Sequence, residues 1–147
     1  MNEDFRDLLS AFVDAGARFL VVGAHALAVH GIPRTTGDLD VWVEPSAENA
    51  RRVWRALAAF GAPLNEWRVR EADFALPDVV IQLGLPPYRI DVMTSITGVT
   101  FAEAWDGRLD GHLLDVPVPF IGRDAFIRNK RATGREGDKR DIDALTA

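Results

Sequence analysis

Between Phe19 and Val43 the chain reads FLVVGAHALAVHGIPRTTGDLDVWV, and no other stretch limits the possible folds as strongly. A short apolar run ends at Gly23, a helix of small residues follows, Gly31 to Pro33 break it, and a second run carries Asp38 and Asp40. Side chains alternate between the faces of a strand. Asp38 and Asp40 therefore share one face, with Cα atoms roughly 6.7 Å apart, while Leu39, Val41 and Val43 turn to the other. Two carboxylates at that spacing can both reach a divalent cation, and Mg²⁺ takes one or two carboxylates together with substrate phosphates. The turn Val22-Gly23-Ala24 opens a helix, where free backbone N–H groups and the helix dipole favour an anion. An anion cradle thus precedes a metal platform by one helix and one loop.

The rest of the chain supplies a frame for this unit. Phe5, Leu8, Leu9, Phe12 and Val13 repeat with helical spacing, which predicts a helix from about Asn2 to Ala15 ended by Gly16. Arg18 to Val22 is almost wholly apolar, as expected of a central strand covered on both faces. Ala50, Val53, Trp54, Leu57 and Phe60 predict a helix over 46–60, stopped by Gly61-Ala62-Pro63. Trp67 and Val69 suggest a further strand, Val79 to Leu83 another, and Tyr88 to Thr94 a third. In that third strand Arg89, Asp91 and Met93 share a face opposite Ile90 and Val92. A short helix near 101–105, strand-like runs over 109–121 and two helices at 123–132 and 138–145 complete a mixed α/β chain. The fold predicted is a single mixed β-sheet flanked by helices, in one domain spanning residues 1–147.

Composition narrows the chemistry. With no cysteine, disulfides, thiolate metal sites and thiol nucleophiles are all excluded, so a bound metal must be held by oxygen or imidazole. Its 48% hydrophobic and 27% charged residues are ordinary for a globular domain, and no apolar run is long enough to span a bilayer. The acidic, amphipathic N-terminus is unlike a secretory signal, and the expected location is cytoplasmic. A net charge of −5 argues against a protein coated with nucleic acid. Residues 123–140 nevertheless carry seven basic and three acidic side chains. That segment is either a solvated helical surface or a resting place for a triphosphate or an RNA strand.

Asp91 makes the aspartate pair more specific, because a carboxylate in the middle of a strand is costly to bury unless it is paired or binds a metal. A Gly-small turn on a helix, a D-x-D on the next strand and a later apolar-Asp-apolar strand resemble the minimal nucleotidyltransferases of the DNA polymerase β superfamily. The stretch GAHALAVHGIPRTTGDLDVWV, with the later IRNKRATGREGDKRDIDAL, is similar to AbiEii-like and related small bacterial nucleotidyltransferases, many of them parts of toxin–antitoxin modules. The likeness covers nearly the whole chain and implies a polymerase β palm-like fold.

On that resemblance, Asp38 and Asp40 match the paired metal ligands, and Asp91 matches the third carboxylate, which orients or deprotonates the attacking hydroxyl. Gly23 and Ala24 match the turn that holds the β- and γ-phosphates. Position 24 is often Ser in the wider superfamily and Gly in close relatives, and Ala keeps the backbone donors without the hydroxyl. Lys130 matches a lysine that approaches the nucleotide, and Asp138 and Asp141 fall in a matching D-x-x-D. The implied reaction moves a nucleoside monophosphate from an NTP to a hydroxyl on a protein side chain, a tRNA end or a small molecule. The implied cofactor is a pair of Mg²⁺ ions, with Mn²⁺ as a substitute.

Three further residues have two readings each. Arg34 either forks onto a phosphate or pairs with Asp38. Trp42, on the face of Asp38 and Asp40, either stacks on a base or is an ordinary half-buried aromatic. His25 and His30, five residues apart, do not share a helix face as a zinc pair would, which leaves packing or capping roles. Thr35 and Thr36 read as loop residues. The alternative to an enzyme is a nucleotidyltransferase-fold binding partner, such as an antitoxin that neutralises a cognate toxin by contact.

Overall fold

A computed structural model describes residues 3–35, 37–85 and 87–147, so the expected helix start at Asn2 and the loop residue Thr36 lie outside the described residues. Its elements run α1 (Glu3–Asp14), β1 (Phe19–Val22), α2 (Gly23–Val29), β2 (Leu39–Val43), α3 (Ala47–Phe60), a short 3-10 helix (Glu71–Ala75), β3 (Val80–Leu83), β4 (Ile90–Met93), α4 (Phe101–Asp106), β5 (Leu109–Leu113), β6 (Val116–Phe120), α5 (Arg123–Thr133) and α6 (Glu136–Thr146). All six strands form one mixed sheet in the order β3-β4-β2-β1-β6-β5. β1 runs antiparallel to β2 and parallel to β6, β2 is parallel to β4, and β3 and β5 close the two edges as antiparallel partners.

The two faces of this sheet differ as strand alternation predicts. Leu39, Val41, Val43, Ile90, Val92, Ile81 and Leu83 are all buried on one face. On the other, Asp40, Asp91 and Gln82 stand in one row across β2, β4 and β3, by the register Asp40↔Asp91 and Gln82↔Asp91. Val22 continues the row on β1, opposite Asp40. β1 is buried along its whole length, as its unbroken apolar run requires of a strand inside the sheet.

α3 shows how local signals fix the frame. The Ser46 hydroxyl caps it by accepting from the Asn49 N–H at 3.2 Å, and Gly61, in the left-handed conformation, ends it. Asn49 itself is buried, and its amide clips the helix to the strand ends. Its Oδ1 accepts from the Arg18 N–H at 2.7 Å, and its Nδ2 donates to the carbonyls of Arg18 and Glu44 at 2.9 and 3.0 Å.

One expected strand is absent among the described residues. Around Trp67 and Val69 the backbone turns instead, with Trp67 N–H bonded to Pro63, Arg68 to Asn65 and Val69 to Leu64. Arg68 adopts a positive φ of 56°, which ends any extended run, and the chain then enters the 3-10 helix that buries Phe74.

Candidate active site

β2 and β4 bring Asp40 and Asp91 directly opposite each other, and parallel pairing puts both on the same sheet face. The carboxyls are within hydrogen-bonding reach, and the Asp40 carboxyl is pushed up to about 6, first by burial and then by the charges of Asp91 and Asp38. Asp38 lies just before β2 and is more open, its side chain 44% exposed against 13% for Asp91. The structure therefore gathers the three aspartates at one end of two neighbouring strands.

Gly23 closes the site from the side of β1. It has a φ of 71°, and a Cβ built there would come within 2.2 Å of Asp40 Oδ2. Only glycine allows both this turn and this approach. α2 begins at Gly23 with Val22 extended at its N-cap and no side-chain cap, so Gly23 and Ala24 present their turn beside Asp40. Gly37 does comparable work on the far side, where a Cβ would meet the Pro87 carbonyl oxygen at 1.6 Å. The loop before Asp38 thus rests directly on the loop before β4.

The principal residue that sequence reasoning missed is Arg89. Its Nε donates to Asp91 Oδ1 at 3.0 Å, its Nη2 to Oδ2 of the same carboxylate at 3.3 Å, and Nη2 lies 3.6 Å from Asp38 Oδ2. The signal was present, because Arg89 and Asp91 alternate onto one face, but alternation alone does not say that the longer side chain folds back over the shorter.

Arg34 and Lys130 both pair with acids of α6. Arg34 pairs with Asp141 of α6 and not with Asp38, the partner weighed from the sequence. Lys130 is buried on α5, 8% exposed, with Nζ 2.9 Å from Asp141 and 3.4 Å from Asp138. The D-x-x-D of α6 is therefore the anionic half of a buried ion cluster that joins α5, α6 and the loop carrying Arg34. Burial alone would raise Asp138, but hydrogen bonds from Thr133 and from the Arg135 side chain and backbone, with the Lys130 charge, outweigh it and hold the carboxyl at about 2.

Trp42 does share the face of Asp40, yet it is 1% exposed and packs edge-on against Phe101 at 5.1 Å between centroids, so it offers no surface to a base. His25 packs edge-on against Phe5 at 6.1 Å, bonds to the Asp38 backbone and is held below the usual histidine range by burial. The His30 ring hydrogen-bonds the Ile121 carbonyl at 2.8 Å. Both histidines are packing residues.

Hard oxygen donors on two paired strands suit Mg²⁺ chemically, and the Asp40 carboxyl is raised first by burial and then by the charges of Asp91 and Asp38, which Arg89 partly offsets. As the side chains stand, no three His, Asp or Glu residues among the described ones converge into a ligand set. Arg89 takes both oxygens of Asp91 in this arrangement.

No family model matches this chain, and no curated protein matches it. Among solved structures, it resembles a candidate nucleotidyltransferase from Thermotoga maritima with a TM-score of 0.60 and 14% identity, over 97% of this chain and 88% of that one. No helix of the described residues is long and apolar enough to cross a membrane. The chain thus has a nucleotidyltransferase-like fold, a mixed six-stranded sheet flanked by helices.

Proposed function

We propose that this protein is a metal-dependent nucleotidyltransferase that moves a nucleoside monophosphate from an NTP to a hydroxyl acceptor. The observation that carries the reading is the juxtaposition of Gly23, Asp40 and Asp91, a positive-φ turn lying against one of two facing in-strand carboxylates. Asp38, Asp40 and Asp91 would hold Mg²⁺ or Mn²⁺. When bound, such ions offset phosphate charge and stabilise the attacking and leaving oxygens of an in-line displacement. The backbone at Gly23 and Ala24 holds the β- and γ-phosphates. Asp91 orients the acceptor hydroxyl and takes its proton as the oxygen bonds to the α-phosphorus, the bond to the β-phosphate breaks, and pyrophosphate leaves.

Arg34 is anchored by Asp141 with its side chain 45% exposed, which suits a fork aimed at a phosphate. Lys130, the other basic residue of the proposed nucleotide site, is committed to Asp138 and Asp141 here and acts through the packing of α6. The acceptor is a protein side chain, a tRNA end or a small molecule, in a cytoplasmic, toxin–antitoxin setting. The test is transfer of label from the α-phosphate of ATP, CTP, GTP or UTP to total protein and total RNA, with wild type and Asp40→Asn. Mg²⁺-dependent labelling lost in a folded Asp40→Asn supports the reading. Equal labelling by both overturns it.

A further inference from the structure

Arg89 presents a problem of occupancy. Its guanidinium makes a two-pronged contact with both oxygens of Asp91 and reaches Asp38 as well. These are two of the three carboxylates assigned to the metal, and a guanidinium fork on Asp91 uses the lone pairs between its two oxygens and sets a positive charge beside any cation that would bind there. Arg89 is nevertheless built to move by its side chain alone. Its carbonyl is fixed by the Leu39 N–H at 2.9 Å, which keeps β4 in register with β2, while its side chain is 35% exposed.

We propose that Arg89 is a resident counter-cation of the carboxylate cluster, which yields its place to the incoming divalent ion and then forks onto the polyphosphate of the nucleotide. This inference rests on the metal-site reading above. Without a metal, three aspartates crowd one end of the sheet, and the guanidinium is the cation that limits their mutual repulsion. Once a divalent ion neutralises them, Arg89 loses its attraction to Asp91 and faces a like charge instead. A triphosphate entering beside Gly23 brings several negative charges, and a planar fork of N–H donors matches phosphate oxygens as well as it matches a carboxylate. One residue thereby serves two states, and the free site resists opportunistic cations while the loaded site grips its substrate.

The two roles have opposite signatures, which a merely structural residue would not show. The probes are Mn²⁺ alone, titrated by electron paramagnetic resonance of the free ion, and inorganic triphosphate, titrated calorimetrically at saturating Mn²⁺. Arg89→Met is expected to bind Mn²⁺ about tenfold more tightly and triphosphate about tenfold more weakly than wild type, the scale of one charge-assisted hydrogen bond. Arg89→Lys keeps the charge but cannot fork, so it separates occupancy from simple repulsion. Tighter Mn²⁺ binding than wild type in Arg89→Lys supports exchange. Unchanged Mn²⁺ affinity there, or a fall in both affinities in either variant, overturns it. If Arg89→Met fails to fold, Arg89→Lys alone decides by the same sign. A folded wild type that binds no Mn²⁺ would overturn the metal-site reading and this proposal together, whereas wild-type binding with unaltered variants would overturn this proposal alone.

Discussion

Asp40 and Asp91 stand opposite each other across the parallel β2–β4 pair, close enough for their carboxyls to share a hydrogen bond. Burial first, and then the like charges beside it, disfavour the ionised Asp40, so the cost of that charge varies with pH. The Asp40 carboxyl titrates near 6 in the folded chain, against an ordinary value of 3.8. Between those two values the folded state binds more protons than the unfolded state, so stability must fall as pH rises through that window. Urea denaturation in EDTA should show a loss of about 1 kcal/mol between pH 4 and 6, after discounting for partial solvent screening. Asp40→Asn should flatten that slope and raise metal-free stability at pH 7. A slope that is unchanged in Asp40→Asn would remove Asp40 as its source.

Gly23→Ala should damage the site more than the fold. The new methyl would meet Asp40 Oδ2 at 2.2 Å and the residue would be held at a φ of 71°. Backbone strain of this kind costs about 1–3 kcal/mol. Calorimetric melting should register that loss, and NTP binding should fall with it because the displaced groups are the phosphate turn and a carboxylate. Full retention of nucleotide binding by Gly23→Ala would contradict the assignment of the turn.

The ion cluster of α5 and α6 carries a prediction about stability. Lys130→Met leaves Asp138 and Asp141 buried with one cation fewer, and loss of one partner from a buried ion pair typically costs about 3–5 kcal/mol. Amide exchange in α6 should rise before exchange in β2 and β4 does. Asp138 titrates near 2, below its ordinary value, so its share of the cluster's stability is fully present above pH 4 and disappears as pH falls towards 2. Exchange that rises equally in α6 and the central strands would mean that the cluster is not a local latch.

Asn49→Ala should lower stability by about 2–3 kcal/mol with no specific effect on the site. It strands the Arg18 N–H and two carbonyls that a buried amide now satisfies. Chemical denaturation measures the loss. A cost near zero would show that water replaces the clip.

How much of this was legible in the sequence depends on the range of the interaction involved. The alternation DLDVWV and YRIDVM gave the two strands and the inward faces of Leu39, Val41, Ile90 and Val92, because a period of two is a local property. That Asp40 faces Asp91 required the register of two strands some fifty residues apart, which no local pattern contains. For Arg34 the sequence offers a phosphate or the neighbouring Asp38, and cannot offer Asp141, the partner that the folding of α6 brings to it. Trp42 was assigned the correct face, but Phe101 of α4 covers it there. Trp67 and Val69 carry strand-forming side chains, and the turns that run from Pro63 to Val69 override that preference.

The most direct test of the central claim is a thermal-shift panel of ATP, CTP, GTP and UTP, each with Mg²⁺ or with EDTA, on wild type and Asp40→Asn. Each shift is taken from that protein's own ligand-free baseline, since Asp40→Asn should itself raise stability. A ligand at a hundred times its Kd stabilises the native state by about 2.7 kcal/mol. The account predicts a Mg²⁺-dependent shift with at least one nucleotide in wild type and its loss in Asp40→Asn. A folded wild type that shifts with no nucleotide, or an Asp40→Asn variant that shifts as wild type does, would contradict it.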